Sequence, residues 1–160
     1  MGVVIERPIV HVLSIDDGEA AIGWLAPGIL YARFKGIISG SLGLRCAAEL
    51  DRLLEQGTTC RLFTDVADVE TYDFGARSAI VRVLFARRKQ LESMLCLATG
   101  GVALLAARAV SPMFGSAHTV TSDVTDFHAQ LQRAVPLLGH RLDPKTWAPL
   151  RTSLPPAHQL

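Results

Sequence analysis

Charge is scarce in this chain. Asp, Glu, Lys and Arg together make 19% of its 160 residues and nearly cancel to a net +1, while hydrophobic residues make 49%. So neutral a balance excludes an electrostatic nucleic-acid binder, and so apolar a chain is not a disordered one. Cysteine is scarce too, with Cys46, Cys60 and Cys96 each inside an apolar segment. An odd, widely spaced set is no secreted disulfide framework, so all three are read as small core residues and the cytosol as the compartment. Long apolar runs are missing: the longest nearly uncharged one, Met94 to Ala107, is too short for a bilayer and is interrupted by Gly100 and Gly101. The start, MGVVIERPIVHV, puts Glu6 and Arg7 where a signal peptide needs its apolar core, and its first six residues hold no Ser or Thr for myristoylation. The expectation is a soluble, cytoplasmic, bacterial-style protein with no membrane span and no internal repeat. At 160 residues it is the size of one domain with a core of its own.

What is present is periodicity. PIVHVLSI is β-rich, Asp16-Asp17-Gly18 supplies turn chemistry, and EAAIGWLA returns as the second arm of a hairpin. ILYARFKG alternates Leu30, Ala32 and Phe34 against Tyr31, Arg33 and Lys35, which predicts a third strand with one wet face. From Ser41 to Gln56 the spacing of Cys46, Ala47, Leu50, Leu53 and Leu54 becomes helical, with Ser39 or Ser41 as cap and Gly57 as stop. TCRLFTD predicts a short strand. A helix over about Phe74 to Leu91 follows, with Ala76, Ile80, Val83, Leu84 and Leu91 inward. SMLCLAT predicts another strand, and then a third helix with Val102, Leu105, Ala106, Ala109 and Val110 on one face, ended by Pro112. HTVT is a strand, and Ser122 or Asp123 caps a fourth helix that buries Val124, Phe127, Leu131 and Val135. This order predicts an α/β domain over residues 1–135. Its mixed central sheet has parallel later strands, right-handed crossovers, about four helices mainly on one side, and an edge hairpin. Residues 136–160, with proline clustered near the end, are expected to form a tail anchored, if at all, by Trp147.

The stretch TDVADVETYDFGARS carries the strongest hint of function. A strand running into Asp65, then Asp68, Val69, Tyr72, Asp73, the small Gly75 and Ala76 and a helix at once, resembles the STAS domain, the family of sulfate transporter and anti-sigma factor antagonist domains. FKGIISGSLGLRCAAELDRLLEQ is similar to that family's preceding strand, glycine and first helix, and the likeness covers about Leu30 to Leu131. It implies a noncatalytic, regulatory, protein-binding module. In the antagonists, a serine phosphorylated by the partner kinase follows the second aspartate. Phe74 stands there, so that switch cannot operate at this position. Ser78, one helical turn on, is the nearest hydroxyl, and a phosphate there would sit among Arg77, Arg82 and the helix start, although a serine inside a helix usually just faces solvent. The resemblance also extends to lipid-carrying proteins of related architecture, which leaves a second reading open: a pocket between helices and sheet for a small apolar ligand.

Other candidates are weaker. Asp65, Asp68, Glu70 and Asp73 supply carboxylates for a divalent cation but fit no calcium loop, and turn and helix capping by Asp68 and Asp73 explains them. Asp65, at a strand end, is placed like a phosphoacceptor only if Asp16 and Asp17 converge on it. Gly100 and Gly101 could cradle a phosphate but match no phosphate-loop pattern and suit a tight turn. The five histidines, His11, His118, His128, His140 and His158, show no metal-ligand spacing. No nucleophile, base and orienter can be named together, so no catalytic residue, metal or cofactor is expected. Arg77, Arg82, Arg87, Arg88 and Lys89 have no acid between Asp73 and Glu92; such a face is ordinarily just solvated, and otherwise suits an acidic partner, an anionic lipid head group or a nucleotide. Partner contact is therefore expected at the loop Asp68 to Asp73 and the helix from Phe74 to Lys89, through Asp68, Tyr72, Asp73, Phe74, Arg77, Ser78, Arg82 and Arg88. Homodimerisation stays open.

Overall fold

A computed structural model of the chain describes residues 9–136. The tail beyond Pro136, with Trp147, and the histidines His140 and His158 lie outside the described residues. Six strands form one sheet in sequence order: β1 (Ile9–Ile15), β2 (Gly18–Ala26), β3 (Ile29–Ile38), β4 (Cys60–Tyr72), β5 (Leu91–Leu97) and β6 (His118–Thr121). The first two pairings are antiparallel and the last three parallel. Each parallel neighbour is reached through a helix: α1 (Gly40–Leu54), α2 (Phe74–Ala86) and α3 (Gly101–Phe114). Every crossover steps one strand further the same way, so connections of one hand place all three helices on one face. Helix α4 (Val124–Ala134) folds back over the other.

Two apolar layers result. On the three-helix side, Ile22, Leu30, Phe34 and Leu62 of the sheet pack with Leu42, Cys46, Leu50 and Leu54 of α1. On the α4 side, Val10, Leu25, Tyr31, Phe63 and Leu97 meet Phe127 and Leu131. Phe63 and Phe127 make an edge-to-face pair with centroids 6.0 Å apart, fixing α4 on the sheet. The helix caps follow the sequence: Leu42 N–H donates to Ser39 Oγ at 3.2 Å, and Asp126 N–H to Asp123 Oδ1 at 3.0 Å.

Five expectations are corrected. The alternation in β3 does not mark a wet face, because Tyr31 and Arg33 are both buried beneath the α4 layer. Strand β4 does not stop near Asp65. It runs on to Tyr72 by pairing with β3 as far as Ile38↔Tyr72, so Asp68 to Tyr72 is strand and not loop. Its pairing with β5 ends at Asp65↔Leu97, so the acidic half has a strand neighbour on one side only, where charge is tolerated. Helix α2 ends at Ala86 rather than Leu91; a 3-10 turn, Arg88–Gln90, follows, and Leu91 opens β5. Pro112 sits inside the last turn of α3, where it removes only one backbone bond, and Gly115, at φ +60°, ends the helix. The inward face of α3 is also turned, with Val102 and Leu105 exposed and Ala103 buried, whereas α4 buries Phe127, Leu131 and, at its C-cap, Val135 as expected, and of that face exposes only Val124.

Candidate functional site

Helix α2 is held at both ends. At its start, Gly75 N–H donates to Asp73 Oδ1 at 2.7 Å and Ala76 N–H at 3.3 Å, while Asp73 N–H donates to Ile38 O at 2.9 Å. The cap therefore also ties the helix to the end of β3. One turn on, α1 and α2 touch backbone to backbone, since a Cβ on Gly43 would fall 2.2 Å from Ala76 Cβ. At the far end, Arg87 Nε donates to Asp51 Oδ1 at 2.8 Å. Fixed against α1 in this way, α2 stands off from α3, and the two meet through Phe85 and Phe114, rings 6.1 Å apart.

Between these two helices and the sheet lies a cavity of about 160 Å³. Its floor comes from Phe34, Leu62 and Met94, and its walls from Ile80 and Leu84 of α2 and Ala106 and Val110 of α3. Few polar groups reach it. Thr64 and Tyr72 offer hydroxyls, and Arg77 is half-buried at its edge. His118 lies 2.8 Å through Nδ1 from Ser111 Oγ, and burial lowers its pKa, which favours the neutral ring. Burial, seconded by Asp65, pushes the Cys96 thiol up to about 12, so it is no thiolate nucleophile. No aspartate or glutamate lines the cavity.

The acids of β4 have another role. Asp65 is buried, and desolvation raises its pKa; Ala67 N–H, donating to Oδ1 at 3.0 Å, and Arg33, with Nε 3.9 Å from Oδ2, oppose that shift. Arg33 also bonds Asp68 through Nη2. Beside them, Tyr31 is held protonated, its pKa raised chiefly by burial and next by Asp65. Asp68 therefore pairs with the buried Arg33 from a half-exposed position instead of capping a turn, and no group of three potential metal ligands occurs among the described residues. Asp16 sits in the β1–β2 turn and Asp17 beside it, and neither joins Asp65 in such a group.

The eight expected contact residues separate accordingly. Tyr72 and Arg77 line the cavity, Asp73 caps α2, and Phe74 is 75% exposed at the first helical position. Ser78 is half-buried and Arg82 exposed on the same helix. Asp68 belongs to the Arg33 pair. Arg88 lies past α2 in the 3-10 turn, with its guanidinium 4.3 Å from the Phe85 ring centroid and bonded to Phe85 O. Arg87, one of the basic run, is neutralised by Asp51. Gly101 has φ +63°, as a turn into α3 requires. Sequence reasoning missed the wall residues Ala103 and Ala107, whose signal is the small-residue spacing in VALLAARAV, and Thr64, which carries none.

No family model and no curated protein sequence matches this chain. Solved structures do. One is the crystal structure of an uncharacterized protein of the DUF3478 family with a SpoIIAA-like fold, from Shewanella loihica PV-4. It shares 12% identity at a TM-score of 0.53, over 82% of this chain and 98% of that one. A second is the anti-sigma factor antagonist SpoIIAA in its unphosphorylated form, at 13% identity and a TM-score of 0.48 over 78% and 98% of the respective chains. The fold is therefore SpoIIAA-like, as the STAS-like architecture expected from the sequence requires. No helix among the described residues is long and apolar enough to cross a membrane.

Proposed function

We propose that the protein is a noncatalytic, cytoplasmic STAS-like binding module that takes a small apolar ligand between α2, α3 and the sheet. One observation carries this reading: the cavity of about 160 Å³, apolar on nearly all sides. An engineered cavity of ~150 Å³ with a comparable lining stays dry and accepts benzene, so the space suits an apolar group of about six carbons. Titration with 1-octanol, followed by amide chemical shifts, should give saturable shifts in α2, α3 and the facing strands. Ala107→Phe should remove them by filling the space with the fold intact. Shifts that rise without saturation, equally in both proteins, would defeat the reading.

A second reading is supported by exposed apolar residues at the start of α2. Phe74, 75% exposed, lies at the same end of the sheet as Leu44 and Ile37, 63% and 40% exposed. This reading is a regulatory, protein-binding module resembling an anti-sigma factor antagonist without its serine switch. Phe74 would be the apolar anchor, with the exposed Arg82, Arg88 and Lys89 meeting an acidic partner. Phe74→Ala should change stability by less than about 0.5 kcal/mol, as for other exposed side chains, yet release a cross-linked partner. The partner's retention by Phe74→Ala combined with charge reversal at Arg82 and Arg88 would rule out this face.

A further inference from the structure

The cavity carries a charge signature as well as a volume. Among its lining residues there is one permanent cation, Arg77, and no acid. Burial favours the neutral forms of His118 and Cys96, lowering the pKa of the first and raising that of the second. Arg77 also has no ion pair or side-chain hydrogen bond among the described residues. Its backbone N–H bonds Asp73 O, which fixes the residue at the first turn of α2. The Asp73 carboxylate accepts through Oδ1 from the N–H groups of Gly75 and Ala76 and makes no ion pair with Arg77.

Resting on the apolar-ligand reading above, we infer that the cavity selects an anionic amphiphile, a monocarboxylate with an apolar tail of about six to eight carbons, whose head pairs with Arg77. The tail length follows from the volume. The head follows from the guanidinium, a planar donor that meets a carboxylate through two parallel N–H bonds and stays charged at every working pH. A single cation also fits a singly charged head better than a dianionic phosphate, which would keep one charge uncompensated beside an apolar wall. Tyr72 and Thr64 supply hydroxyls on the sheet side of the same space.

The test compares octanoate, octyl phosphate and 1-octanol at pH 8 and low salt, by amide-shift titration of the wild type and Arg77→Gln. Octanoate should bind the wild type at least ~10-fold more tightly than octanol, the factor expected of a charge-assisted hydrogen bond. In Arg77→Gln that preference should vanish, with octanol affinity changed by less than ~2-fold, because octanol leaves the guanidinium unused. Three results overturn the inference while leaving the apolar cavity intact: octanol binding as tightly as octanoate, octyl phosphate binding more tightly than octanoate, or the octanoate preference surviving in Arg77→Gln. Saturable binding of none of the three overturns the apolar-ligand reading along with it.

Discussion

Arg33→Gln is expected to destabilise the fold by about 3–5 kcal/mol, the range for removing one partner of a buried ion pair. The carboxylate left behind is almost inaccessible, with the Asp65 side chain 5% exposed. Asp68 is half in water and loses little. Adding Asp65→Asn to Arg33→Gln should restore part of the loss, because the amide removes the stranded charge and can still accept from Ala67 N–H. Urea midpoints with unchanged slopes measure both effects. A loss below about 1 kcal/mol for Arg33→Gln would mean that Asp65 does not depend on the pair.

The same carboxyl gives a pH signature. The folded pKa of Asp65 is raised from the ordinary 3.8, so its contribution to stability is present below that value and is lost as pH rises through the raised one. Asp65→Asn has no such loss, and its stability relative to wild type should improve as pH rises from about 3.8 upward. A relative stability that worsens over that range would show that the charged form is favoured, with Arg33 outweighing burial.

Gly43→Val should cost about 3 kcal/mol, the upper end for overpacking. The obstacle is main chain, with Ala76 Cα 2.3 Å from the position of the added Cβ. No side-chain rotation can relieve that contact, so α2 must lift from α1, and shortening Ala76 to glycine should restore stability only in part. A displaced α2 should also alter octanol affinity, since Ile80 and Leu84 form one wall of the cavity. Full stability in Gly43→Val would mean that the two helices do not touch there.

The sequence made the layers legible because their signals are local. The Asp16-Asp17-Gly18 turn, the Ser39 and Asp73 caps and the three-to-four-residue spacing of Cys46, Leu50 and Leu53 each act within a few residues. Contacts between distant segments were not legible. Arg33 looks like a solvent-facing position until Asp65 is brought beside it by the β3–β4 register, a pairing that only the folded sheet creates. The extension of β4 through its acids was hidden for a related reason: aspartate and glutamate disfavour strands in general, yet tolerate one whose second side has no neighbour. The cavity was legible only as apolar helix surface. Whether such surface closes on itself or leaves space depends on where α1 holds α2, and that is set by Gly43 and Ala76.

The unbroken strand order has one more consequence. In open α/β sheets, ligands commonly bind where successive crossovers depart to opposite faces and leave a crevice beyond the strand ends. Here the crossovers α1, α2 and α3 all leave on one side, so no such fork exists among the described strands. A ligand of the proposed kind would instead lie within the helical layer itself, between α2 and α3 beside the Phe85–Phe114 contact. The protein's hold on that ligand should then depend on the spacing between those two helices, rather than on the closing of a loop.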